Sequence, residues 1–152
     1  MSTHFPTIYK KSTGEIVQTG MFTCDDEFVD ANFAVKLQFF GSEDHGIVDA
    51  SAAVDTQYVA VMDEVAIVAG RSPLIVEVDK TTLVADGIDS ITLTGLPDPC
   101  DIIIDAPDPL VETSVQTVTG GGFVFVADDP GVYTVEVRRW PFLPFKIEFT
   151  AT

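Results

Sequence analysis

The side chains best equipped for chemistry in this chain are its carboxylates, and they gather in turns. Asp98, Asp101, Asp105 and Asp108 follow one another closely, and Asp128-Asp129 could lie with them at one end of a folded domain. Grouped carboxylates suggest calcium, which takes roughly six to eight oxygens converging on one point. The spacing matches no EF-hand loop, so solvated turn residues are the expected reading, and no metal or cofactor is assigned. A paired-carboxylate glycosidase would need a cleft that a small β domain rarely offers. His4 and His45 are expected in loops, with no cysteine or second histidine at ligand spacing, which argues against zinc. Gly120-Gly-Gly122 is followed by neither helix nor lysine and reads as a hairpin turn rather than a phosphate cradle. No nucleophile elbow is present. The expectation is a protein that is not an enzyme, with no catalytic residues.

One segment has interaction character. Trp140-Pro-Phe-Leu-Pro-Phe145 follows Arg138-Arg139, the only adjacent basic pair in the second half. Aromatic residues and arginine are enriched at protein interfaces, which makes Trp140, Phe142, Phe145, Arg138 and Arg139 the candidate interface. Pro141 and Pro144 cannot donate to a sheet ladder, so the segment is expected to cross between strands at an edge. The plainer alternative is that the three aromatic rings plug the open end of the domain.

Charge narrows the partners. The formal net charge is −16, and from Thr81 to Val137 there is no Lys or Arg against ten acidic residues. Such a surface repels phosphate, which excludes nucleic acid and anionic membrane as expected partners. Colloidal solubility at high local concentration is the simplest reason for it. Cys24 and Cys100 fall in different halves and are expected to be reduced. The longest apolar stretches, Tyr58 to Met62 and Val65 to Gly70, are too short to span a bilayer. The N-terminus does not read as a signal peptide. A soluble protein made in the cytoplasm is expected, leaving it only as part of an assembly.

The elements that would position these residues are mostly strands. An apolar fraction of 46% over 152 residues suffices for one full domain or two small ones. The best boundary is Arg71-Ser-Pro73, giving a β-rich module over 1–71 and a second domain over 72–152. In the first, Thr7-Ile-Tyr9 and Glu15-Ile-Val17 flank a turn ending in Gly14, and Gln57 to Met62 and Val65 to Val68 flank Asp63-Glu64; both read as hairpins. A short helix is expected near 26–37, capped by Asp25-Asp26. In the second, apolar residues alternate from Leu74 to Val78, in Ile91 and Leu93, in Cys100, Ile102 and Ile104, from Val111 to Val118, in Phe123 and Phe125, in Tyr133, Val135 and Val137, and in Ile147 and Phe149. About seven period-two strands separated by Gly- and Pro-bearing turns predict an antiparallel β-sandwich, with a barrel as the alternative.

Two stretches resemble known modules. Val78 to Thr94, with Ala85-Asp-Gly87 before alternating Thr and aliphatic residues, resembles the opening of bacterial immunoglobulin-like repeats. Asp129-Pro-Gly-Val-Tyr-Thr-Val-Glu-Val137 resembles the start of their penultimate strand, where a tyrosine bonds back to the preceding corner; Tyr133 is expected to do so. The whole chain resembles small tailed-phage proteins, through Tyr9 to Ile16, Gln57-Tyr-Val59, Ser72-Pro73, Gly95-Leu-Pro97 and Trp140-Pro-Phe142. That resemblance implies a virion structural protein of the tail, fibre attachment or head surface, multi-copy or homo-oligomeric, with other virion proteins as partners. The rival reading is an Ig-like binding module of a bacterial adhesin that recognises glycan or protein.

Overall fold

Alternation of apolar and polar residues becomes sheet along about half of the chain, and the protein is mainly β, with small antiparallel sheets and one short α-helix. The structure, a computed structural model, describes residues 1–152. Contacts divide it into two units, Met1–Arg71 and Ser72–Thr152.

The first unit holds β1 (Ser2–His4), β2 (Pro6–Lys10), β3 (Ile16–Thr19), β4 (Phe22–Cys24), a 3-10 turn at Asp26–Phe28, α1 (Val29–Gln38), β5 (His45–Asp49), β6 (Gln57–Met62) and β7 (Val65–Gly70). β2 pairs with both β3 and β5, while β1–β4 and β6–β7 form separate two-stranded sheets. The first hairpin is fixed at Gly14. Its φ is +75°, and a Cβ there would stand 2.1 Å from the Val59 carbonyl oxygen. The Gly14 carbonyl accepts the Val59 N–H at 2.8 Å, which ties β6 to the first hairpin. The core is thin: Tyr9, Ile16 and Val59, with Val48, Ala52, Ala66 and Val68 against them.

Two expectations fail in this unit. The helix forms, but without an acidic cap: Asp25 makes no side-chain capping bond and instead pairs with the N-terminal ammonium at 3.3 Å. The 3-10 turn that precedes α1 moves the helix start to Phe28, out of reach of the aspartates. The histidines are not in loops, since His4 ends β1 and His45 opens β5. Each is drawn into a short ladder whose partner strand is remote in sequence, β4 for His4 and β2 for His45.

The second unit holds β8 (Glu77–Val78), β9 (Thr82–Leu83), β10 (Ser90–Thr94), β11 (Cys100–Asp105), β12 (Ser114–Val118), β13 (Gly122–Val126), β14 (Gly131–Arg138) and β15 (Phe145–Ala151). One sheet has the order β13-β10-β8 and the other β12-β11-β14-β15-β9. Among the strand pairs β9–β15 alone is parallel, and an isolated parallel bridge joins Pro73 to Leu143. The two sheets share one core. Ile91, Leu93 and Phe125 come from the first, and Ile102, Val135, Val137 and Phe149 from the second, all essentially sealed from solvent. Each such side chain contributes about 1.5–3 kcal/mol by leaving water.

Of the expected strand from Leu74 to Asp79 only Glu77–Val78 forms, Leu74 to Val76 lying outside the ladder, and the chain turns away at Asp79. The Asp79 carboxylate accepts the N–H of Lys80 at 2.7 Å and that of Thr92 at 2.8 Å. A side chain thus replaces the next ladder carbonyl, and the chain leaves one sheet at β8 to join the other at β9. Three further expectations are corrected. β12 begins at Ser114, because the Val111 N–H is spent in a turn on the Asp108 carbonyl. Gly120-Gly-Gly122 makes no hairpin: β12 and β13 lie in different sheets, and Gly120 and Gly121, at φ +88° and +75°, turn the chain across. The segment 139–144 does not cross at an edge. It joins β14 to β15, neighbours inside the five-stranded sheet. Its prolines fall beyond the Val137–Phe145 pair, where the ladder ends and no donor is needed.

Candidate interaction surfaces

Arg138 and Arg139 leave the end of β14 just as its ladder with β11 runs out at Asp101. They line a shallow cleft of about 240 Å³ together with Trp140, Pro99, Cys100, Asp101 and Thr117. The Arg138 Nε–H donates to Glu136 Oε1, and that carboxylate holds the guanidinium still more firmly charged. Asp101 Oδ1 accepts the Thr117 hydroxyl at 2.8 Å across the β11–β12 pair. Cys100 is buried, and burial, followed by the Asp101 charge, pushes its thiol up, which keeps it protonated and a poor nucleophile. The chemistry on offer is recognition by charge and an aromatic face.

Three of the five candidate interface residues therefore meet: Arg138, Arg139 and Trp140. Phe142 and Phe145 do not line the cleft. Phe145 packs on the core of the second unit, as the plug reading expects of it, and Phe142 is half-buried in the connection.

The acidic turn residues do not converge. β11 separates Asp98 and Asp101 from Asp105 and Asp108 by about 3.3 Å per residue of strand. Asp105 accepts the Thr113 hydroxyl at 2.6 Å, and Asp108 accepts the Leu110 N–H at 2.9 Å. No three His, Cys, Asp or Glu side chains come together as a metal cage. Asp108, Asp128 and Asp129 do line a larger cleft of about 690 Å³, with Pro107, Pro130 and Tyr133. There the Tyr133 hydroxyl donates to the Asp129 carbonyl at 2.9 Å, the corner bond expected of it. Burial, then the charges of Asp129 and Asp128, raise its phenol above the usual value.

Sequence reasoning missed a constellation in the first unit. His4 Nδ1 lies 2.7 Å from Asp49 Oδ2, and its Nε2 lies 3.6 Å from Asp26 Oδ1. Asp49 Oδ1 also accepts the Phe5 N–H at 2.7 Å, so this carboxylate clamps β1 to β5. The His4 hydrogen bond, opposed by burial, leads in holding Asp49 below the usual carboxylate value of 3.8. Nothing in the local sequence marks this pair, because the partners are 45 residues apart.

The first unit also exposes apolar side chains. Phe39 is 84% exposed, Met21 70% and Met62 63%. α1 has no fully buried residue, although Phe33 meets Phe22 edge-on at 5.8 Å.

No family model matches the chain. No curated protein matches it by sequence. Among solved structures, a glycosyl hydrolase family 2 member from Bacteroides cellulosilyticus DSM 14838 aligns over 97% of this chain, at 14% identity and a TM-score of 0.35. The chain spans 23% of that protein's length. A likeness this distant bears on neither fold nor activity.

Proposed function

We propose that this chain is a non-enzymatic structural component of a tailed-phage particle, a tail, fibre-attachment or head-surface protein that acts through protein–protein contacts in many copies. The observation that carries the contact part is the imbalance in the first unit. Its clustered core has three buried residues, while Phe39, Met21, Val61, Met62 and Val65 stand in solvent. A module with so little interior gains most of its stability by covering that surface with a partner.

The second unit is read as an Ig-like β-sandwich. What supports this is its division of strands: the opening stretch feeds both sheets, β8 antiparallel to β10 and β9 parallel to the last strand, β15. The connections between β10 and β11, and between β13 and β14, pass from one sheet to the other, as Greek-key sandwiches require. The Tyr133 corner supports it too. The phage assignment itself rests on the run of short motifs from Tyr9 to Phe142. In this reading the first unit docks on the particle and the second braces or projects, with neither nucleic acid nor membrane as partner. A bacterial adhesin module is the rival, favoured by the 690 Å³ cleft beside Tyr133. A density map of an intact particle decides between them: side-chain density tracing this chain at repeated positions supports the proposal, and full occupancy by other chains rejects it.

A further inference from the structure

The β6–β7 hairpin is apolar on both of its faces. Its strands, Gln57–Met62 and Val65–Gly70, carry no charge in a protein of net charge −16. One face places Val59, Ala66 and Val68 on the core. The opposite face, by the register Tyr58–Ala69, Ala60–Ile67 and Met62–Val65, is equally apolar. On it Ile67 is 43% exposed, Val65 59% and Met62 63%. β7 is paired only with β6, so its outer backbone edge has no strand against it. That edge carries none of the devices that usually blunt one: no lysine, no proline, no bulge.

We propose that β7 is a self-association edge, and that a second copy of this chain adds its own β7 antiparallel to it, making a four-stranded sheet β6-β7-β7-β6 across a two-fold axis. A two-fold perpendicular to the sheet keeps each residue on its own face, so a residue of β7 must stand opposite itself. Centring on Ile67 sets Ile67 against Ile67, Ala66 against Val68 and Val65 against Ala69. The same register brings Asp63, with Glu64 beside it, opposite Arg71 of the second copy, twice by symmetry. Charge complementarity therefore appears at both ends of an otherwise uncharged edge. It also accounts for a costly turn. Asp63 and Glu64 sit at φ 51° and 65°, positions that favour Asn-Gly, and a glutamate held there is strained. The strand is short, so the dimer is weak, with a dissociation constant on the order of 10–100 µM.

This deepens the protein-contact part of the proposed function and stands or falls apart from the phage assignment. The test is sedimentation equilibrium of the full chain from low micromolar to millimolar concentration. A monomer–dimer equilibrium is expected. Ile67→Lys, on the exposed face, should weaken it at least about tenfold with the thermal unfolding curve unchanged. Arg71→Asp should weaken it as well, and adding Asp63→Arg should restore it; the restoration separates pairing across the axis from damage to the bond Arg71 makes to the Asp55 carbonyl. A monomer at every concentration, or a dimer indifferent to Ile67→Lys, overturns the inference. A dimer that is absent from purified particles would leave it intact and sink the phage reading instead.

Discussion

At the scale of single residues, two glycines separate the cost of backbone conformation from the cost of crowding. Gly14 and Gly41 have similar positive φ, 75° and 84°. A Cβ at Gly14 meets the Val59 carbonyl, whereas one at Gly41 meets nothing within 4 Å. Gly41→Ala should therefore cost about 1 kcal/mol, the left-handed penalty alone. Gly14→Ala should cost about 2–4 kcal/mol, because main chain cannot step aside, and should loosen the tie between the first hairpin and β6. Urea unfolding of both variants checks the difference. In the second unit, Tyr133→Phe removes one hydroxyl donor at the corner before β14 and should lower stability by about 1 kcal/mol. The corner bond was expected from the resemblance of Asp129 to Val137 to the penultimate strand of Ig-like modules, and its two partners are only four residues apart. The His4–Asp49 clamp was not, since nothing local links the strands that carry them.

At the scale of elements, the acidic residues that look like mere solubility prove to be backbone partners where the chain changes sheets. Asp86 Oδ1 accepts the N–H groups of Ile88 and Asp89, and Asp89 accepts those of Val84 and Ser90 besides the Lys80 ammonium. Asp79 takes Thr92 and Lys80. These bonds hold all three carboxyls below the usual 3.8: for Asp79 and Asp86 the backbone donors lead, for Asp89 the Lys80 ammonium. Because the folded values lie below the unfolded one, the stabilisation is complete above about pH 4 and fades as pH falls through the depressed values. The melting temperature of the chain should therefore hold steady down to about pH 4.5 and fall below about pH 4. Asp79→Asn, whose amide oxygen still accepts both N–H groups, should flatten that fall. Calorimetry across pH reads both. Periodicity told which face Ile91, Leu93, Ile102, Val135 and Phe149 would present, since a period of two is set by the strand alone. It could not tell which sheet each strand joins. That choice is made at Asp79 and at the glycine crossing of residues 120–122, by bonds between segments remote from one another.

At the scale of the whole molecule, the two units differ in how well each is supplied with an interior. The second has twelve buried residues in one core cluster and the first has three in its own. Limited proteolysis should cut first near Arg71-Ser-Pro73 or within the first unit, and leave a resistant fragment close to 72–152. A chain that resists as one piece would contradict unequal units. The proposed role follows from the same inequality, since a thinly cored module with exposed apolar strands is completed by neighbours. Quantitative mass spectrometry of gradient-purified particles, from cultures that produce this chain, tests that role most directly. The account predicts this chain at many copies per particle, in a fixed ratio to the major shell protein across preparations. Recovery of the chain only from the non-particulate fraction would contradict it.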